Sequence, residues 1–158
     1  MSRRTVLLLA VFLARFPAGA ANDGPMERAT LHGLQSVNVV IDTLDPELLR
    51  NGIDPDALRA RIADGLKSAH VTLDPNAREF LGLRINQVRD RRGPFALCFS
   101  LGVYQPVVLT RDKDVHTVTQ TWEVVSVVLS DPKTLNDAAL DTAGDLAQRF
   151  LTAWKSVQ

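Results

Sequence analysis

The sequence predicts an α+β domain. The expected sheet is mixed, mainly antiparallel and four-stranded, in β-α-β-β-β-α order, with both helices packed on one face. Three observations predict it. Four segments alternate apolar and polar residues with a period of two. Two segments carry apolar stripes at helical spacing. One of these helices separates the first two strands, which predicts a right-handed crossover between parallel neighbours; the later connections are short and predict antiparallel hairpins. The 138 residues that follow Ala20 suit one core.

The chain opens "MSRRTVLLLAVFLARFPAGAANDG". Arg3 and Arg4 form a basic start, Val6 to Ala14 are apolar, and Ala18-Gly19-Ala20 supplies small residues at a cleavage site. This is the pattern of a secretory signal peptide. The nine-residue apolar run is too short to span a bilayer, which takes about 20 residues. Residues 1–20 are therefore read as a cleavable signal, 21–33 as a loose N-terminal arm and 34–158 as a single α+β domain. The expected location is the periplasm or the exterior, with no stable membrane anchor. Loss of Arg3, Arg4 and Arg15 leaves 15 basic against 18 acidic residues. That balance builds no field for nucleic acid. The local "RDRR" at Arg89 to Arg92 reads as a solvated hairpin turn.

In "LQSVNVVIDTL", Val37, Val39 and Ile41 alternate with wetter positions and form the first strand. Asp45-Pro46 and "NGIDPD" interrupt the chain. Asp54 then caps a helix with Pro55 at its first position. Leu58, Ile62 and Leu66 make its buried stripe, and Gly65 marks a close helix–sheet approach. "HVTL" is a strand start or a lead-in. "FLGLRINQV" is the next strand, with Leu81, Leu83 and Ile85 on one face. "PFALCFSLGVYQPVVLTR" is the longest: Phe95, Leu97, Phe99, Leu101 and Val103 form an apolar face, and the opposite face is small. Pro106 predicts an edge or a bulge. "TVTQTWEVVSVVL" is the last strand. Its alternation weakens after Val124, which predicts either burial on both sides or a bulge near Val124-Val125. A closing helix carries Ala139, Leu146, Phe150 and Ala153, with Trp154 over the core edge.

The sequence carries no recognised catalytic motif. His32, His70 and His116 lie in three different segments, without an HExxH pattern. The serines lack a nucleophile elbow. Cys98 is the only cysteine, so no intramolecular disulfide forms; its apolar neighbours predict a buried, inert thiol. Asp54 and Asp56 lack the ligand series of a calcium loop. No catalytic, metal or cofactor-binding residue is assigned, and no cofactor is expected. The remaining candidate is a binding surface of Arg84, Tyr104, Gln120 and Trp122. It requires Trp122 to stand on the helix-free face; the other placement is beneath a helix as a packing anchor.

The chain also resembles a family of small, secreted, uncharacterised bacterial α+β proteins. The matching pieces, in order, are "GLQSVNVVI", "SAHV", "FLGLRI", "FALCFSLGVYQPVVLTR", "TQTWE" and "DLAQRFLTAW". His70 stands where that family often has glycine. The resemblance implies export and a compact α+β fold, with no established activity to transfer. The expected function is a non-enzymatic periplasmic domain that binds an envelope protein or itself. The alternative is a small-ligand binding protein or a hydrolase using the helix-free sheet face.

Overall fold

The computed structural model describes residues 22–89 and 93–158. The expected signal peptide and the Asp90–Arg92 part of the expected hairpin turn lie outside the described residues. The elements are α1 (Pro25–Ala29), β1 (Ser36–Ile41), α2 (Pro46–Arg50), α3 (Pro55–Ser68), β2 (Thr72–Leu73), β3 (Phe80–Arg89), β4 (Phe95–Leu109), β5 (Asp112–Ser130) and α4 (Leu135–Lys155). The sheet order is β2-β1-β3-β4-β5. β1 pairs in parallel with both β2 and β3, while β3–β4 and β4–β5 are antiparallel.

This corrects the expected four-stranded, two-helix β-α-β-β-β-α arrangement: the described residues form five strands and four helices. The extra strand, β2, has two residues and pairs Thr72 and Leu73 with Ser36 and Val37. The extra helices, α1 and α2, have five residues each and start on Pro25 and Pro46. Asp45 caps α2 by accepting from the Glu47 amide at 2.7 Å. Gly52, at φ 94°, ends it: the Ile53 amide reaches back to the Leu48 carbonyl. A helix this short carries the capping signal without room for an apolar stripe.

α3 begins on its Asp54 cap, and its Leu58, Ile62 and Leu66 are buried. It ends through the same back-bonding as α2. Val71 N–H donates to the Leu66 carbonyl, and His70 takes the left-handed position at φ 62°. Histidine is among the residues that tolerate this region, so a turn usually made by glycine is made here without one. Gly65 faces the Ala147 side chain of α4, 3.8 Å from where a Cβ would stand. The close approach is helix to helix, not helix to sheet as expected.

The core lies between the α3–α4 layer and one face of the sheet. Val37, Val39, Leu81, Leu83, Phe95, Leu97, Phe99, Leu101, Val103, Trp122 and Val124 supply that face. Beyond Tyr104, β4 has only β5 as a neighbour, because β3 begins at Phe80, its cross-strand partner. The two strands therefore continue past the helices as a two-stranded arm, and residues 111–119 are exposed. Pro106 lies in this arm, where its missing N–H breaks no inner ladder.

The N-terminal stretch expected as a loose arm is tied down. Asn22 forms a bridge to Glu123 at the edge of β5. The Asp23 carboxylate takes two hydrogen bonds from Arg28, both 2.8 Å, and one from the Trp122 indole N–H, also 2.8 Å. The chain end is stitched to the same region: Trp154 donates to the Leu34 carbonyl and Gln158 to that of Leu31.

Candidate functional site

Helices cover one face of the sheet; the other has no second layer among the described residues. Its side chains follow from strand alternation. β3 contributes Phe80, Gly82, Arg84, Asn86 and Val88, and β4 contributes Ala96, Cys98, Ser100, Gly102 and Tyr104. Cys98 is thus half-buried on the helix-free face and not a filler of the core, a correction to its expected burial. The apolar neighbours Leu97 and Phe99 point the other way.

The β4–β5 register shifts twice, near the turn between Val108 and Leu109 and again at Tyr104. Val103 pairs with Trp122, but Tyr104 pairs with Gln120, so Thr121 is an extra residue. The expected position for such a bulge was near Val124-Val125; the strand instead runs in register from Trp122 to Ser130. The extra residue reverses facing. Gln120 and Trp122 have the same parity in sequence yet lie on opposite faces. Gln120 accepts from the Tyr104 hydroxyl at 2.9 Å and lies across Gly102, 2.9 Å from where a Cβ would stand. Trp122 is fully buried under α4, edge-on to Phe150 with ring centroids 5.5 Å apart.

Of the four residues singled out from sequence, the fold brings Arg84, Tyr104 and Gln120 together and holds Trp122 on the other side of the sheet. Two partners escaped the sequence reading. Phe80 stacks on Tyr104 with centroids 4.7 Å apart and planes 4° from parallel. Glu123 accepts from the Ser100 hydroxyl and from Asn22. Cross-strand placement of Ser100 beside Glu123 depends on register, which single-strand patterns do not reveal.

Charge is arranged in one strip. The Arg84 Nε donates to Asp42 at 3.0 Å. That bond, the Thr43 amide and the positive charge hold the Asp42 carboxyl below its ordinary value despite some burial. Burial pushes the Glu123 carboxyl up, but hydrogen bonds from Ser100, Gln120 and Asn22, with the Arg84 charge, together hold it below its ordinary value. A shallow concavity of about 220 Å³ lies beside this strip, lined by Val40, Asp42, Phe80, Gly82, Leu83, Arg84 and Tyr104. Farther along the strands the same face turns apolar: Val88, Val127 and Leu129 are 75%, 70% and 72% exposed.

The face thus presents charge, an aromatic edge and apolar surface. Among the described residues no three metal-ligating side chains converge, and no helix is long and apolar enough to cross a membrane.

No protein-family model and no curated protein matches the chain. Among solved structures it is similar to a PelC dodecamer from Paraburkholderia phytofirmans, with a TM-score of 0.41 and 14% identity over 76% of this chain and 86% of that one. It is also similar to a minor lipoprotein from Acinetobacter baumannii, with a TM-score of 0.38 and 12% identity over 79% and 93%. The class defined is a small α+β domain with distant structural relatives.

Proposed function

We propose that the protein is a non-enzymatic accessory domain of the bacterial envelope, exported by its N-terminal signal, that acts by binding another protein or itself through the helix-free sheet face. One observation carries this reading. Val88, Val127 and Leu129 are large apolar residues left exposed on one face, beside a charged strip. Contiguous exposed apolar surface on a folded domain marks interaction sites.

A photo-reactive residue placed at Val127 in the exported protein tests it. Adducts are expected at Val127 and not at Asp64, an exposed position on α3. Equal labelling at both positions, or none at either, overturns the reading. N-terminal sequencing of the exported chain should begin at Ala21.

The concavity beside Arg84 and Tyr104 supports a second reading, a small ligand held on the same face. It would take an anionic group on Arg84. Loss of binding in Arg84→Ala, with the fold intact, is the expected outcome in a screen of carboxylate ligands.

A further inference from the structure

We propose that the helix-free face joins two copies of this chain about a two-fold axis running along β4. The proposal rests on the interaction reading above and names its partner. Ala96, Cys98 and Ser100 are the outward residues of β4 over this region, and Gly102 beyond them is covered by Gln120. All are small, so a second sheet can approach closely along that line. The two flanks of β4 are complementary to each other. Val88 on β3 and Leu129 on β5 both stand opposite Ala96. Arg84 on β3 stands opposite Ser100, and Glu123 on β5 stands opposite Gly102, two residues along the strand.

A two-fold axis along β4 exchanges these flanks. It lays Val88 of one copy on Leu129 of the other, twice, and brings each Arg84 beside the other copy's Glu123. Arg84 uses only its Nε on Asp42; its terminal nitrogens have no hydrogen-bond partner among the described residues. An axis across the strands at Gly102 would instead set Glu123 against Glu123. Like charges facing each other across an interface oppose association, so the axis along β4 is favoured. Val88, Val127 and Leu129 form an exposed apolar patch, and the largest such patch on a typical monomer, about 300–600 Å², is often functional. The charged strip extends this toward the roughly 800 Å² per partner of a standard interface. A reversible dimer is the expected product.

The exported protein is examined by sedimentation and by a short bis-maleimide, which reads the native Cys98 next to the axis. A dimer cross-linked through Cys98 is expected. Leu129→Asp, at a position exposed in the single chain, strikes the interface twice and should weaken association about a hundredfold. Val88→Glu should weaken it likewise, and Val88→Glu combined with Leu129→Lys should restore a salt-sensitive dimer. The rescue separates an interface effect from misfolding.

A strict monomer at about 100 µM, assemblies larger than dimers, or a Cys98 cross-link indifferent to Leu129→Asp would each overturn the proposal. So would a monomer that sediments with anionic vesicles through Leu129. If photo-cross-linking at Val127 captures a different protein while the chain stays monomeric, the self-partner fails and the broader reading stands.

Discussion

Replacing Asp23 by alanine tests whether the N-terminal segment is part of the folded domain. The Asp23 carboxylate is 15% exposed and accepts three hydrogen bonds, two from Arg28 and one from the Trp122 indole. Trp122 itself is fully buried. Alanine leaves the indole N–H without this acceptor and releases Arg28, whose side chain is 34% exposed. Hydrogen bonds to a charged group contribute about 1.5–3 kcal/mol each, and a stranded buried donor costs about 1–3 kcal/mol. Arg28 regains water on release, so a net loss of about 2–3 kcal/mol is expected. For a domain of this size that lowers the thermal midpoint by roughly 6–10 °C. Asp23→Asn keeps an acceptor for the indole but loses the charge, and should fall about halfway. Calorimetry at pH 7 on the folded protein measures both. A midpoint for Asp23→Ala within about 2 °C of the unsubstituted protein would refute the reasoning, because the segment would then contribute nothing to the fold.

Acid should act through the same carboxylates. Asp23 and Glu123 are held below their ordinary values of 3.8 and 4.5; at Asp23 burial works upward, and the hydrogen bonds from Arg28 and Trp122 with the Arg28 and Arg149 charges outweigh it. Their stabilisation is complete above those ordinary values and is lost as pH falls through the lower folded ones. The thermal midpoint should therefore drop below about pH 4, and the Asp23→Asn/Glu123→Gln double variant should show a flatter profile. His70→Gly relieves a left-handed position at φ 62° and should raise stability by about 0.5–1 kcal/mol, read by urea unfolding. Phe150→Ala removes a fully buried ring packed edge-on to Trp122; it should cost about 3–5 kcal/mol in the same assay.

Much of the scaffold was legible because its signals are local. The Asp54-Pro55 cap and the Leu58, Ile62, Leu66 stripe specify α3 without reference to any other segment. The Asp45-Pro46 pair is the same signal, but five residues of helix cannot repeat a stripe. β2 was obscured for a related reason, since two residues cannot alternate. Trp122 shows a different limit. Period-two reading places Gln120 and Trp122 on one face, and a single extra residue at Thr121 separates them. The bulge is a property of how β4 and β5 meet, so neither strand displays it alone. The surface around Arg84 and Tyr104 was legible as composition; the Phe80 stack and the Glu123 contacts required the register.

The position of β1 has a consequence for the making of the protein. Its neighbours are β2 and β3, with Ser36 opposite Thr72 and Asn38 opposite Phe80. Both follow it in the chain. During N-to-C synthesis the segment "SVNVVI" emerges before either neighbour exists. It is uncharged and rich in β-branched residues, the composition that favours pairing with the wrong partner. β4 and β5 escape this wait, since each is joined to its partner by a short turn. An interior strand of the finished sheet is therefore the one left waiting longest for a neighbour. Misassembly of the nascent chain should begin there, and not at the exposed edge of β5.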